Sequence, residues 1–183
     1  MGIFNPNCAT DAVALLVELA GGRLNRVAVL KLLYLAEREA LAKYGTSITG
    51  SQFYSLPHGP ISSEVYGLIK GDWQSERWSA YLRSDGNDVV LIRERSNDWL
   101  READEELLMK HWDEHRCGDG FPDALVGFSH DLPEWSRPRG EKSVPITERQ
   151  MLEAQGVGWE RIDAVERLQE GVRAMHNLGE LRV

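Results

Sequence analysis

Apolar residues recur three and four apart near the start of the chain: Ala12, Leu15, Leu16 and Leu19 form one stripe, and this spacing predicts a helix. Thr10 stands where an N-cap belongs, Asp11 suits the positive helix end, and Gly21-Gly22 stops the element. Asn25 caps a second helix that runs to Tyr44 and ends at Gly45, the left-handed residue after many helices. Its middle, Val27 to Ala36, is apolar on nearly every side. A helix with that character is buried, so this one is expected at the centre of the domain, with Lys31 to Leu35 and Val65 in the core.

The period then changes. Gln52 to Leu56 is short and aromatic and ends at Pro57, which predicts a strand. A compact helix follows Gly59-Pro60, with Ile61, Val65, Leu68 and Ile69 on one face and Gly71 as its stop. Asp85-Gly86 between the β-compatible runs Trp78–Arg83 and Asp88–Arg93 predicts a hairpin. These three runs are expected to share one small antiparallel sheet. Ser96 or Asn97 caps a charged helix reaching Arg116, with Leu100, Ala103, Leu107, Leu108 and Trp112 buried. A short helix starts with Pro122 at N1, and Leu132 to Pro145 reads as an ordered loop. Thr147-x-x-Gln150 is a capping box, with Ile146 and Met151 placed as a hydrophobic staple; that helix ends at Gly156. A last amphipathic helix carries Ile162, Val165, Leu168, Val172 and Met175. The fold class is α+β, mostly α, with a small antiparallel three-stranded sheet, and residues 1–183 read as one domain.

Composition narrows the function. With 29 Asp and Glu against 21 Lys and Arg the formal charge is -8, so no excess of positive charge exists for a nucleic-acid footprint, and no direct nucleic-acid partner is expected. Two cysteines, Cys8 and Cys117, make no disulfide framework. The first residues lack a signal peptide's basic and apolar regions, and no stretch is long enough to span a bilayer. A cytoplasmic protein without a membrane partner is expected.

The most enzyme-like pattern is His111-Trp112-Asp113-Glu114-His115, with Cys117 two residues on. Histidines four apart on a helix can bind one zinc, which keeps a metal-dependent enzyme open as an alternative. The zincin pattern, however, needs Glu directly after the first His, and Trp112 is there instead; His111 also borders the apolar stripe, where a structural histidine is ordinary. No nucleophile elbow, dinucleotide fingerprint or Walker loop occurs, so no catalytic residue, bound metal or cofactor is expected. Two rigid polar-aromatic loops remain. In Pro57-His58-Gly59-Pro60 two prolines and a glycine hold His58 at a defined angle, which suits catalysis or recognition and equally a plain strand-to-helix corner. In Ser129-His130-Asp131-Leu132-Pro133-Glu134-Trp135, Trp135 is either a loop anchor or part of a contact surface. Six tryptophans, several in polar surroundings (Trp73, Trp78, Trp99, Trp135), favour a protein-binding surface.

The run Leu30-Lys31-Leu32-Leu33-Tyr34-Leu35-Ala36, then Tyr44-Gly45, Ile48-Thr49-Gly50, and His58-Gly59-Pro60 with Ser63-Glu64-Val65-Tyr66 resembles the Panacea domain, the SocA-like, phage-associated antitoxin family. Phe128 to Trp135 is similar to the family's later signature. The resemblance covers about residues 10–136 and leaves 146–178 as a C-terminal helical extension. It implies a toxin–antitoxin role without catalysis: direct neutralisation of a cognate toxin protein, or, as in one member, an adaptor that delivers its toxin to an AAA+ protease. His58, Gly59, Pro60, Glu64 and Tyr66 are then expected to shape a corner of the domain. The toxin-binding surface is expected at His58–Pro60 together with His130–Trp135, and an acidic surface along Asp98 to Glu114 would speed association with a basic toxin.

Overall fold

A computed structural model describes residues 2–116, 121–140 and 142–180. The elements in chain order are α1 (Pro6–Leu19), β1 (Arg23–Asn25), α2 (Arg26–Tyr44), β2 (Phe53–Leu56), β3 (Gly59–Ser62), α3 (Ser63–Lys70), α4 (Glu76–Tyr81), β4 (Leu82–Asp85), β5 (Asp88–Leu91), α5 (Glu102–His115), α6 (Asp123–His130), β6 (Val144–Ile146), α7 (Glu148–Ala154) and α8 (Trp159–Glu180). The architecture is mostly α with small antiparallel sheets, as the patterning predicts.

Helix α2 is the axle. Asn25 Oδ1 accepts from the Val27 amide to start it, and Gly45, at φ 74°, ends it. Residues Ala28 to Glu37 are buried without a break, because α1, α3, α5, α6 and α7 all pack around them. Leu32, Leu33 and Tyr34 are wholly buried, and each contributes roughly 1.5–3 kcal/mol by leaving water.

The three strands expected in one sheet are divided between two. One sheet has the order β1-β5-β4, with Leu24 opposite Val89; the other has the order β3-β2-β6, with Phe53 between Ser62 and Ile146. The reason is local. Residues 78–81 belong to a helix, since Ser75 Oγ caps the Trp78 amide and the Trp78 side chain is buried. Sequence alone leaves β1 and β3 unmarked, three or four residues each and lacking clean alternation. Val144 and Pro145, expected at the end of a loop, join Ile146 in β6 and close the far edge of β2. Both edge strands of that sheet carry a proline, Pro60 and Pro145, which blocks further strand addition.

Several boundaries also shift. Asn5, not Thr10, caps α1; Thr10 is buried and its hydroxyl donates to the Pro6 carbonyl at 2.7 Å. Helix α5 begins after Arg101 rather than after Ser96 or Asn97, because Ser96 accepts from Arg77 and the Trp99 amide donates to Asp11. Pro122 occupies the N-cap of α6 rather than its first turn. The capping box at Thr147 and Gln150 forms as expected, with Ile146 and Met151 buried. On α8, Ile162 and Val165 are buried, but Leu168, Val172 and Met175 are exposed. Among the described residues no helix is long and apolar enough to cross a membrane.

Candidate functional site

The β2–β3 hairpin turns through Pro57 and His58 alone, with Leu56 paired to Gly59. Gly59 holds φ 96°, a conformation that side chains rarely adopt. A β-carbon there would lie 2.3 Å from Ser129 Oγ and 2.7 Å from Lys31 Nζ. The glycine therefore lets the hairpin close onto α2 and α6 together. Pro60 offers no ladder N–H, but its carbonyl accepts from Lys31 Nζ at 2.8 Å.

The second loop is fixed onto the first. Trp135 Nε1 donates to the Leu56 carbonyl at 3.1 Å, and the Ser136 amide donates to Ser55 Oγ at 3.3 Å. The Trp135 indole stacks on the His130 ring, 4.1 Å between centroids. Beneath them the Glu134 carboxylate, fully buried, accepts from Tyr34 Oη at 3.1 Å and from Arg38 Nε at 2.6 Å. Thus the His58–Pro60 corner and the His130–Trp135 loop, far apart in sequence, lie side by side above Lys31. His58 is exposed at the tip, Gly59 and Pro60 are buried, and Tyr66 is half-buried beside them with the Lys70 ammonium 5.4 Å from its ring. Glu64 faces elsewhere: it is buried and accepts from Ser51 Oγ at 2.6 Å and the Gln52 amide at 2.8 Å, which ties down the entry to β2.

Around Lys31 and His130 positive groups prevail: Glu134 is paired with Arg38, and Asp131 alone among the neighbours of His130 favours its charged form. Burial lowers the Lys31 ammonium from its usual 10.5 to about 7. Desolvation lowers the His130 imidazole, and the neighbouring Lys31, Arg137 and His58 push it the same way. Its Nε2 is buried and has no hydrogen-bond partner among the described residues. The sequence pattern assigns Lys31 to the core and marks Ser129 only as the start of the His130 loop. The available signal was a lone cation inside the apolar run Val27–Ala36.

The His111–His115 pair is a different arrangement. The rings stack at 6.0 Å on α5, and with Glu114 they bring ligand-type atoms within 4.8 Å of one another. Yet Glu39 Oε2 lies 2.8 Å from His111 Nε2 while also accepting from Lys110 Nζ at 2.8 Å. Burial raises the Glu39 carboxyl, but the bonds from Lys110 and Lys43 outweigh it and hold the group down at about 2. Glu39 thus holds His111 Nε2 on the side away from Glu114, the carboxylate of the cluster, whose Oε1 lies 3.8 Å from Lys110 Nζ, and the Phe128 ring packs 4.9 Å from that of His115. Cys117, the further donor, lies outside the described residues. The acidic run from Asp98 is similarly engaged: Asp98 pairs with Arg77, Asp104 with Arg101, Glu105 with Arg95, and Glu114 with Lys110. Of the tryptophans in polar surroundings, Trp73 and Trp99 are exposed, whereas Trp78 is core.

The family model of the SocA-like antitoxin, Panacea domain, matches residues 29–136, a span that includes α2 from Val29 onward, both hairpins and the whole corner. The chain belongs to this antitoxin family, and membership supports an antitoxin role without enzymatic activity. No curated protein and no solved structure matches the chain.

Proposed function

We propose that this protein neutralises a cognate toxin by binding it directly, with the corner at His58–Pro60 and His130–Trp135 in the contact surface. The observation that carries this reading is the convergence of two rigid loops beside one buried lysine that no carboxylate among the described residues offsets. Rigid loops lose little conformational entropy on association, and a stacked His130–Trp135 pair presents aromatic surface of the kind that dominates binding energy. The acidic run along α5 contributes little, because most of its carboxylates already face a cation.

Co-expression with the product of the adjacent reading frame tests the reading, scored by growth and co-purification. The expected result is a neighbour that stops growth alone and forms a stable complex in which growth resumes. His58→Ala combined with Trp135→Ala should weaken that complex about tenfold or more, the size of a typical hot-spot loss, with the circular dichroism spectrum unchanged. Rescue that vanishes in a protease-deficient host would transfer the role to proteolytic delivery. A harmless neighbour would overturn the reading.

A further inference from the structure

Beside the corner, between α2 and the β2–β3 hairpin, lies a cleft of about 190 Å³. Leu30, Leu56 and Ile61 form apolar walls, and the charged or titratable nitrogen groups along it are Arg26, Lys31 and His58. Among the described residues no carboxylate lines it, although the protein carries 29 Asp and Glu and a net charge of -8. The sign of the charge inside the cleft is thus opposite to that of the molecule.

Lys31 sharpens this contrast. It is 2% exposed and forms no ion pair among the described residues, and its ammonium spends one of three N–H groups on the Pro60 carbonyl. A buried cation without a counter-charge carries a desolvation penalty, and an incoming carboxylate offsets it. The cleft holds about one residue, so a single residue must supply both apolar surface for the walls and negative charge for the bases. An internal leucine brings only the first and an internal aspartate only the second. A chain-terminal apolar residue brings both. Building on the reading of the protein as a toxin binder, we propose that this cleft receives the C-terminal residue of the toxin, with an apolar side chain among Leu30, Leu56 and Ile61 and the terminal carboxylate facing Lys31 and Arg26.

Two arms test this. In the first, N-acetyl-Gly-Gly-Leu as free acid and as amide is titrated into the 15N-labelled protein. The acid is expected to shift the Lys31, Gly59 and Ile61 amide resonances saturably and to bind about tenfold tighter than the amide, the usual scale of a charge-assisted hydrogen bond. Lys31→Met, which removes the buried charge at similar volume, and Arg26→Gln, at a half-exposed position, should each erase that preference. Equal binding of acid and amide, or none, overturns the proposal. In the second arm the toxin carries a Gly-Ser-Lys extension, which is expected to weaken its complex about tenfold with the wild-type protein and not with Lys31→Met. An extension without effect on a tight complex overturns the proposal and leaves the antitoxin reading standing. A neighbour protein that never binds, alongside a peptide acid that does, removes the antitoxin reading while the cleft remains a receptor for chain ends.

Discussion

Helix α2 buries a glutamate and a lysine less than two turns apart, and they are treated differently. Glu37 is wholly buried, and its carboxylate accepts from the Ile48 amide at 2.5 Å, the Thr49 amide at 3.0 Å and the Thr49 hydroxyl. Lys31 is equally buried and donates one hydrogen bond. Burial drives both toward neutrality: the Glu37 carboxyl rises from 4.5 to about 7 in spite of its bonds, and the Lys31 ammonium falls from 10.5 to about 7. Glu37 has turned its burial into structure by fixing the loop that leads into β2. Lys31 retains unused donors next to a cleft. A satisfied buried charge explains itself within the fold, whereas an under-satisfied one points to something outside it.

The sharpest way to break this comparison is Glu37→Leu. It strips three donors of their acceptor in the core and should cost about 3 kcal/mol or more, seen as a lower urea midpoint. Gly59→Ala comes next. It combines a strained φ with a clash against Ser129 and Lys31, and about 2 kcal/mol of stability should be lost.

Titration separates the two charges by sign. Between pH 4.5 and 7 the unfolded chain has released the Glu37 proton while the folded protein keeps it, so this group's contribution to stability falls as pH rises. Between pH 7 and 10.5 the folded protein has lost the Lys31 proton while the unfolded chain keeps it, so that contribution rises with pH. Unfolding free energies taken across pH 5 to 10 should therefore differ from wild type on the acid limb in Glu37→Gln and on the alkaline limb in Lys31→Met. Coincident difference curves would show that the two groups are not distinct. The smallest loss of stability is expected for Lys31→Met itself at neutral pH, since replacing an unpaired buried cation by an apolar chain of similar volume is neutral or stabilising. A large loss there would make Lys31 a structural residue like Glu37.

Much of this was legible along the chain. Asn25, Gly45 and the Thr147–Gln150 box act through neighbours within a turn, so their caps are visible as residue types at fixed spacing. The unbroken apolar run of α2 announces burial because no face is left for water. The Asp85-Gly86 signal places the β4–β5 turn, where Gly86 holds φ 62°. Strand partners were a different matter. Residues 78–81 are compatible with strand or helix, and a cap at Ser75 together with burial of Trp78 decided between them. On α8 the stripe is amphipathic by spacing, yet only its first turns meet the body, which leaves Leu168, Val172 and Met175 exposed.

The corner shows where the division falls. Sequence determined that Pro57-His58-Gly59-Pro60 is rigid, because ring closure and the missing β-carbon act on the backbone wherever the segment sits. It likewise determined that α2 is central. Only the tertiary structure decided that His130 and Trp135 lie against that corner, that β6 completes the β2 sheet, and that Gly59 faces both Ser129 and a Lys31 with no carboxylate partner among the described residues. Those facts depend on contacts between segments far apart in the chain, where the sign and distance of a partner, not the identity of the residue, set what a buried charge does.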